Sequence, residues 1–211
     1  MTATPAPSRL FRGLPPYGRG ERIGLFGGTF NPAHPGHRVA SLLALDRLKL
    51  GRIWWLVTPG NPLKEAAGVP SLDRRMRKAA EMAAHPRIVV SGVEETFRTR
   101  YTADLIRILR ERVPGIRFVW IMGSDNLAQF DRWENWRRIA AEVPIAVVNR
   151  PGSLSAALSA PAAQALRRYR VDEQDAGTLA ERSPPAWVFL TGPRSPASST
   201  ALRGRGCVLK L

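Results

Sequence analysis

Two histidines three residues apart, His34 and His37, close the run Gly27-Gly28-Thr29-Phe30-Asn31-Pro32-Ala33-His34-Pro35-Gly36-His37. The paired glycines let backbone approach a ligand closely, and Pro32 and Pro35 fix the loop. An apolar run at 23–26 precedes the segment and a helical pattern follows it. At a helix start, both imidazoles converge on exposed backbone N–H groups, which already favour an anion. The chemistry this suits is the grip on a phosphate chain. Zinc ligation is the weaker reading, because the chain holds only three histidines and no acidic or cysteine partner stands nearby. A P-loop is excluded, since no Gly-Lys-Ser/Thr follows.

A second run, Ser198-Ser199-Thr200-Ala201-Leu202-Arg203, lies near the other end of the chain. Three small hydroxyl residues at a helix start donate to oxygens, and an arginine one turn on adds a bidentate cation. Alone, such a run is a common helix cap. Beside the histidine motif it reads as a second contact to the same polyphosphate.

The elements that must position these residues alternate in kind. Apolar runs at 23–26, 53–57, 87–90, 116–122, 143–148 and 187–190 predict strands. Helices are predicted over 39–50, with Val39, Leu42, Leu43, Leu45 and Leu48 inward, and over 71–84, where Ser71 and Asp73 favour the start. Residues 102–112 follow as a helix stopped by Pro114-Gly115, then short helices through Ala140 and an alanine-rich helix over 153–169. Alternation of this kind predicts an α/β fold: a Rossmann-like, open, mostly parallel sheet with helices on both faces. Ligands of such sheets sit beyond the carboxyl ends of the strands. Residues 1–20, rich in proline and glycine turns, are expected to be a flexible leader, with a single domain over 21–211.

The chain of 211 residues carries 44% hydrophobic and 23% charged residues, enough to bury a sizeable core. No apolar stretch is long enough to span a membrane or to act as a signal peptide. One cysteine, Cys207, rules out an internal disulfide and fits a reducing cytoplasm. The formal charge of +15 favours polyanions such as nucleotides or pyrophosphate. The charges are scattered without the aromatic interleaving of a single-strand-binding platform, so no nucleic-acid partner is expected.

The glycine–histidine run resembles the signature of the nucleotidyltransferase superfamily that includes nicotinate-nucleotide, phosphopantetheine and cytidylyl transferases. Position 31, usually Asp in that pattern, is Asn here. The resemblance implies an ATP site at Gly27, Gly28, Thr29, Phe30, His34, His37, Ser198, Ser199, Thr200 and Arg203, with His34, His37 and Arg203 catalytic. Further segments are similar to the nicotinate branch: Pro59-Gly60-Asn61-Pro62-Leu63-Lys64, Glu94-Glu95, Tyr101-Thr102-Ala103-Asp104, Gly123-Ser124-Asp125-Asn126, Trp133 and Asn149-Arg150-Pro151-Gly152. They imply that Lys64 holds a mononucleotide phosphate and that the Tyr101-Thr102 turn meets a pyridine carboxylate. By the same resemblance Asp125 contacts the nucleotide and Trp133 stacks on the pyridine ring. The implied reaction is transfer of the adenylyl group of ATP to nicotinic acid mononucleotide, with Mg²⁺ accompanying ATP and no metal site on the protein. Another member of the superfamily, acting on phosphopantetheine or a cytidylyl acceptor, is the alternative. A class I aminoacyl-tRNA synthetase fragment should carry a Lys-Met-Ser-Lys-Ser-type loop, and none is present.

Overall fold

The computed structural model describes residues 7–59, 69–150 and 154–192. Its strands are β1 (Leu10–Phe11), β2 (Arg22–Gly28), β3 (Arg52–Val57), β4 (Ile88–Ser91), β5 (Arg117–Gly123), β6 (Ile145–Val148), β7 (Arg170–Val171) and β8 (Trp187–Leu190). The helices are α1 (Pro35–Arg47), α2 (Leu72–Ala83), α3 (Val93–Phe97), α4 (Thr102–Arg112), α5 (Ser124–Leu127), α6 (Trp136–Glu142), α7 (Leu154–Ser159) and α8 (Pro161–Ala165). Short 3₁₀ turns cover Phe130–Arg132, Arg167–Tyr169 and Glu173–Glu181.

The strands form one sheet in the order β1-β4-β3-β2-β5-β6-β8-β7, and every ladder among the described residues is parallel. Parallel strands need crossovers, which place helices on the faces. The period-2 alternation of each strand accordingly divides the core. Leu25, Trp54, Leu56, Trp120, Met122 and Val147 pack on the side of α4, α6 and α8. Phe26, Trp55, Val57, Ile121 and Val148 pack on the side of α1 and α2. The fold is the α/β one that the sequence predicts. No helix among the described residues is long and apolar enough to cross a membrane.

Three local expectations are corrected, and one short strand lies beyond what the sequence announces. The leader is not simply flexible: β1 pairs with the edge of β4, and the Ser8 hydroxyl donates to the His85 carbonyl at 3.0 Å. An open sheet edge offers unpaired N–H and C=O groups, so even two residues of suitable backbone add to it. The inner face of α1 is His37, Ala40, Ser41, Ala44 and Leu45, with Leu48 just beyond, while Val39, Leu42 and Leu43 are half-buried. Small side chains let this helix lie close against the sheet. The alanine-rich stretch is not one helix, because Pro161 lacks an N–H and starts α8 afresh. The short strand β7 carries too few residues to show any alternation, and the sequence pattern does not announce it.

β2 marks the point where the chain order reverses, with β3 and β4 on one side and β5 and β6 on the other. Ligands of open parallel sheets bind at such a switch, beyond the strand ends. The residues leaving β2, β3, β5 and β6 are therefore the ones to inspect.

Candidate active site

β2 ends at Gly28, and the chain turns through Thr29 and Phe30 into α1. Phe30 holds φ at +45°, a left-handed backbone that costs a non-glycine residue about 1 kcal/mol or more. Packing compels it: the Phe30 ring stacks on Trp55 at 4.8 Å and meets Phe26 edge-on. Phe30 as a whole is 2% exposed, so its side chain belongs to the core beneath the loop. Gly27 has a packing reason as well, since a Cβ there would lie 2.6 Å from the Trp120 indole.

His34 is the N-cap of α1, Pro35 takes the first helical position and His37 the third. The His34 backbone N–H donates to Nδ1 of His37 at 3.2 Å, and the ring centroids lie 3.8 Å apart. The His37 ring rests on Phe30, centroid to centroid 4.8 Å. Below it the Ser41 hydroxyl donates to the His37 carbonyl at 2.9 Å, and the Trp55 indole N–H donates to that hydroxyl at 2.7 Å. The imidazoles thus stand on a rigid aromatic floor.

Their electrostatics follow from burial. The His34 pKa falls from 6.5 to about 4, chiefly because its ring is buried, then because the Arg150 charge is near; Asp125 opposes this. His37 is also driven well below the ordinary value by burial, then by His34 and Arg150. Both rings are neutral at pH 7. Because Nδ1 of His37 accepts a backbone N–H, its proton resides on Nε2, which is a donor. Both ring nitrogens of His34 are buried without a hydrogen-bonding partner. A buried polar atom left in this way costs about 1–3 kcal/mol. A ligand oxygen would recover that cost at the one ring nitrogen that carries the proton.

Opposite lie the ends of β5 and β6. The Arg150 backbone N–H donates to the Ser124 hydroxyl at 2.8 Å, and its guanidinium Nε lies 3.4 Å from Oδ1 of Asp125. Gly123 makes room for this pair: a Cβ there would stand 2.3 Å from Asp125 Oδ1 and 2.7 Å from Arg150 Nε. The sequence offers Arg150 only within the run Asn149-Arg150-Pro151-Gly152, yet its charge reaches both histidines.

Trp133, half-buried, packs edge-on against Trp120 at 6.3 Å and Phe130 at 5.5 Å. Trp120 in turn abuts Gly27, so one contact chain links Trp133 to β2. Tyr101 is 44% exposed and caps α4, whose first residue is Thr102. Lys64, Ser198, Ser199, Thr200 and Arg203 lie outside the described residues. Arg75, which no sequence pattern singles out, is a buried cation of α2 bonded to the carbonyls of Thr29, Thr58, Pro59 and Pro70.

A parallel sheet with paired imidazoles at a helix start beyond its switch-point strand defines an α/β nucleotidyltransferase. The cytidylyltransferase-like family model matches residues 25–205. A probable nicotinate-nucleotide adenylyltransferase of Bradyrhizobium sp. (strain ORS 278) is 60% identical over 86% of this chain and 95% of its own. One from Brucella suis biovar 1 (strain 1330) is 52% identical over 86% and 93%. The chain belongs to the nicotinate-nucleotide adenylyltransferases within the cytidylyltransferase-like family. Among solved structures, Plasmodium falciparum nicotinic acid mononucleotide adenylyltransferase complexed with APC shares the fold, with a TM-score of 0.60 and 16% identity over 87% of this chain and 83% of that one. The same enzyme complexed with NaAD superposes with a TM-score of 0.59 and 15% identity over the same shares.

Proposed function

We infer that this chain transfers the adenylyl group of ATP to nicotinic acid mononucleotide, forming the deamido dinucleotide and pyrophosphate. The observation that carries the reading is the buried His34 ring, with both nitrogens lacking a partner, at the positive end of the thirteen-residue helix α1. Such a site is built for an anion that brings its own acceptors.

The acceptor phosphate attacks the α-phosphorus of ATP in line. A new P–O bond forms, the bond to the β-phosphate bridge breaks, and pyrophosphate leaves with the electron pair. A phosphate dianion is already nucleophilic, so no general base is required. The protein must align two repelling anions and stabilise charge on the leaving group. His37, through Nε2–H, and His34, through its one ring N–H, donate to triphosphate oxygens without adding net charge of their own. Arg203 and the Ser198-Ser199-Thr200 hydroxyls would serve the same chain, and Lys64 the attacking phosphate. Asp125 faces the nucleotide, the start of α4 at Tyr101-Thr102 receives the pyridine carboxylate, and Trp133 offers a ring face to the pyridine.

A divalent ion would enter the reaction with ATP, as MgATP, where it would neutralise triphosphate charge. The net charge of +15 helps draw both anionic substrates. A single cysteine is in keeping with a reducing cytoplasm as the place of reaction.

The test is pyrophosphate release from MgATP with nicotinic acid mononucleotide, nicotinamide mononucleotide, phosphopantetheine and a cytidylyl acceptor in parallel. Release that requires the first acceptor and falls with the others supports the reading. Silence with nicotinic acid mononucleotide sinks it.

A further inference from the structure

Arg75 is 3% exposed and projects from the buried face of α2 beneath two loops at the carboxyl edge of the sheet. Its Nη1 donates to the Thr29 carbonyl at 2.8 Å and to the Thr58 carbonyl at 2.7 Å. Nη2 donates to Pro59 at 3.1 Å and Nε to Pro70 at 3.0 Å. Four of the five guanidinium hydrogens are used, a geometry that the point charge of lysine does not reproduce.

We propose that Arg75 is a positioning residue for adenylyl transfer: its guanidinium fixes the loop leaving β2, which carries the paired histidines, against the loop leaving β3. This rests on the reading of the site as the adenylyl-transfer centre.

Two features separate the role from simple support. Bonds to Pro59 and Pro70 would suffice to close the base of the connection between them, but the bond to Thr29 belongs to a different loop. Because a trans peptide sets N–H opposite C=O, anchoring the Thr29 carbonyl also aims the Phe30 N–H away from the buried guanidinium. The charge is balanced chiefly by carbonyls. Glu94 on α3 stands near, but burial pushes its carboxyl up to about 8 against the pull of Arg75, so at neutral pH it is largely protonated. Loss of the guanidinium therefore frees both loops together. Reacting groups misplaced by about 1 Å lose rate on the order of a hundredfold.

The experiment compares R75K and R75M with the full-length wild type, measuring kcat, KM for each substrate and thermal midpoint. Expected are a kcat lowered about 30- to 100-fold in both variants, KM for ATP within about threefold, and partial recovery of R75M by added guanidinium ion. If R75M does not fold, R75K carries the test, since its ammonium cannot span separate loops. A kcat for R75K within about twofold of wild type, with only the thermal midpoint lowered, overturns the proposal. Hydrogen exchange at 29–31 and 58 reads the clasp without any acceptor. Faster exchange in R75K is expected, and unchanged exchange overturns the proposal. A wild type inactive with nicotinic acid mononucleotide would sink the functional reading instead, and the exchange result would still decide the clasp.

Discussion

The backbone N–H of His34 donates to Nδ1 of His37, so the first imidazole's own peptide fixes the tautomer of the second. His37 is thereby a committed Nε2 donor, held on Phe30 and Trp55 as a rigid support. Losing one preorganised donor of this kind costs a rate factor of about 10² to 10³. His37→Ala is expected to lower kcat by that amount while the circular dichroism spectrum and melting cooperativity persist. Turnover near the wild-type level would remove His37 from the mechanism.

His34 should show a trade between stability and activity. Its ring nitrogens have no partner, and an asparagine N-cap would replace a buried, unsatisfied ring with a side chain suited to helix starts. His34→Asn is expected to raise the melting temperature of the ligand-free protein and to cut kcat about a hundredfold. A variant both less stable and fully active would contradict the site as described.

The same burial sets a pH dependence. The folded pKa of His34, about 4, lies below the free value of 6.5. The unfolded chain therefore takes up its proton first as pH falls. The contribution is intact above pH 6.5 and is lost on the way down, by about 3 kcal/mol at pH 4, with His37 adding in the same direction. Glu94 acts with the opposite sign. Its folded pKa is raised to about 8, so stability is full below 4.5 and is lost as pH rises toward 8, by about 4 kcal/mol at pH 8. Urea titrations from pH 4 to 8 should show the advantage of Glu94→Gln over wild type growing toward the alkaline end and that of His34→Asn growing toward the acid end. Parallel curves for all three proteins would dispose of both assignments.

The parts of this site that sequence makes visible are those with a local signature. Residues 102–112 and 187–190 emerge as predicted, because an amphipathic stretch stopped by Pro114-Gly115 and an apolar run report their own surroundings. The adjacency of His34 and His37 also follows from their spacing at a helix start. Arg75 is invisible for the opposite reason: its partners are backbone carbonyls of residues 29, 58, 59 and 70, and a carbonyl has no letter in the sequence. The inner face of α1 is half hidden: Leu45 and Leu48 are buried as the pattern suggests, but Ala40, Ser41 and Ala44 pack closely by being small while Val39, Leu42 and Leu43 sit at its margins. The pairing of β1 with β4 depends on an open edge that only the assembled sheet possesses.

Gly123 offers the sharpest test of the second half of the site. A Cβ at this position would occupy the space of Asp125 Oδ1 and Arg150 Nε, and both side chains would have to withdraw. Their ends are mobile, so the fold should survive at a cost of about 1–3 kcal/mol, as overpacking usually exacts. The electrostatic consequence is larger than the steric one. Arg150 is the main charge lowering the His34 pKa, after burial itself, and its departure would let that value rise. Gly123→Ala is expected to lower kcat/KM for ATP about tenfold, on the order of one charge-assisted hydrogen bond, and to shift the His34 titration upward in an NMR pH series. An unchanged His34 titration beside an unchanged kcat/KM would mean that the Asp125–Arg150 pair does not set the electrostatics of the imidazole site.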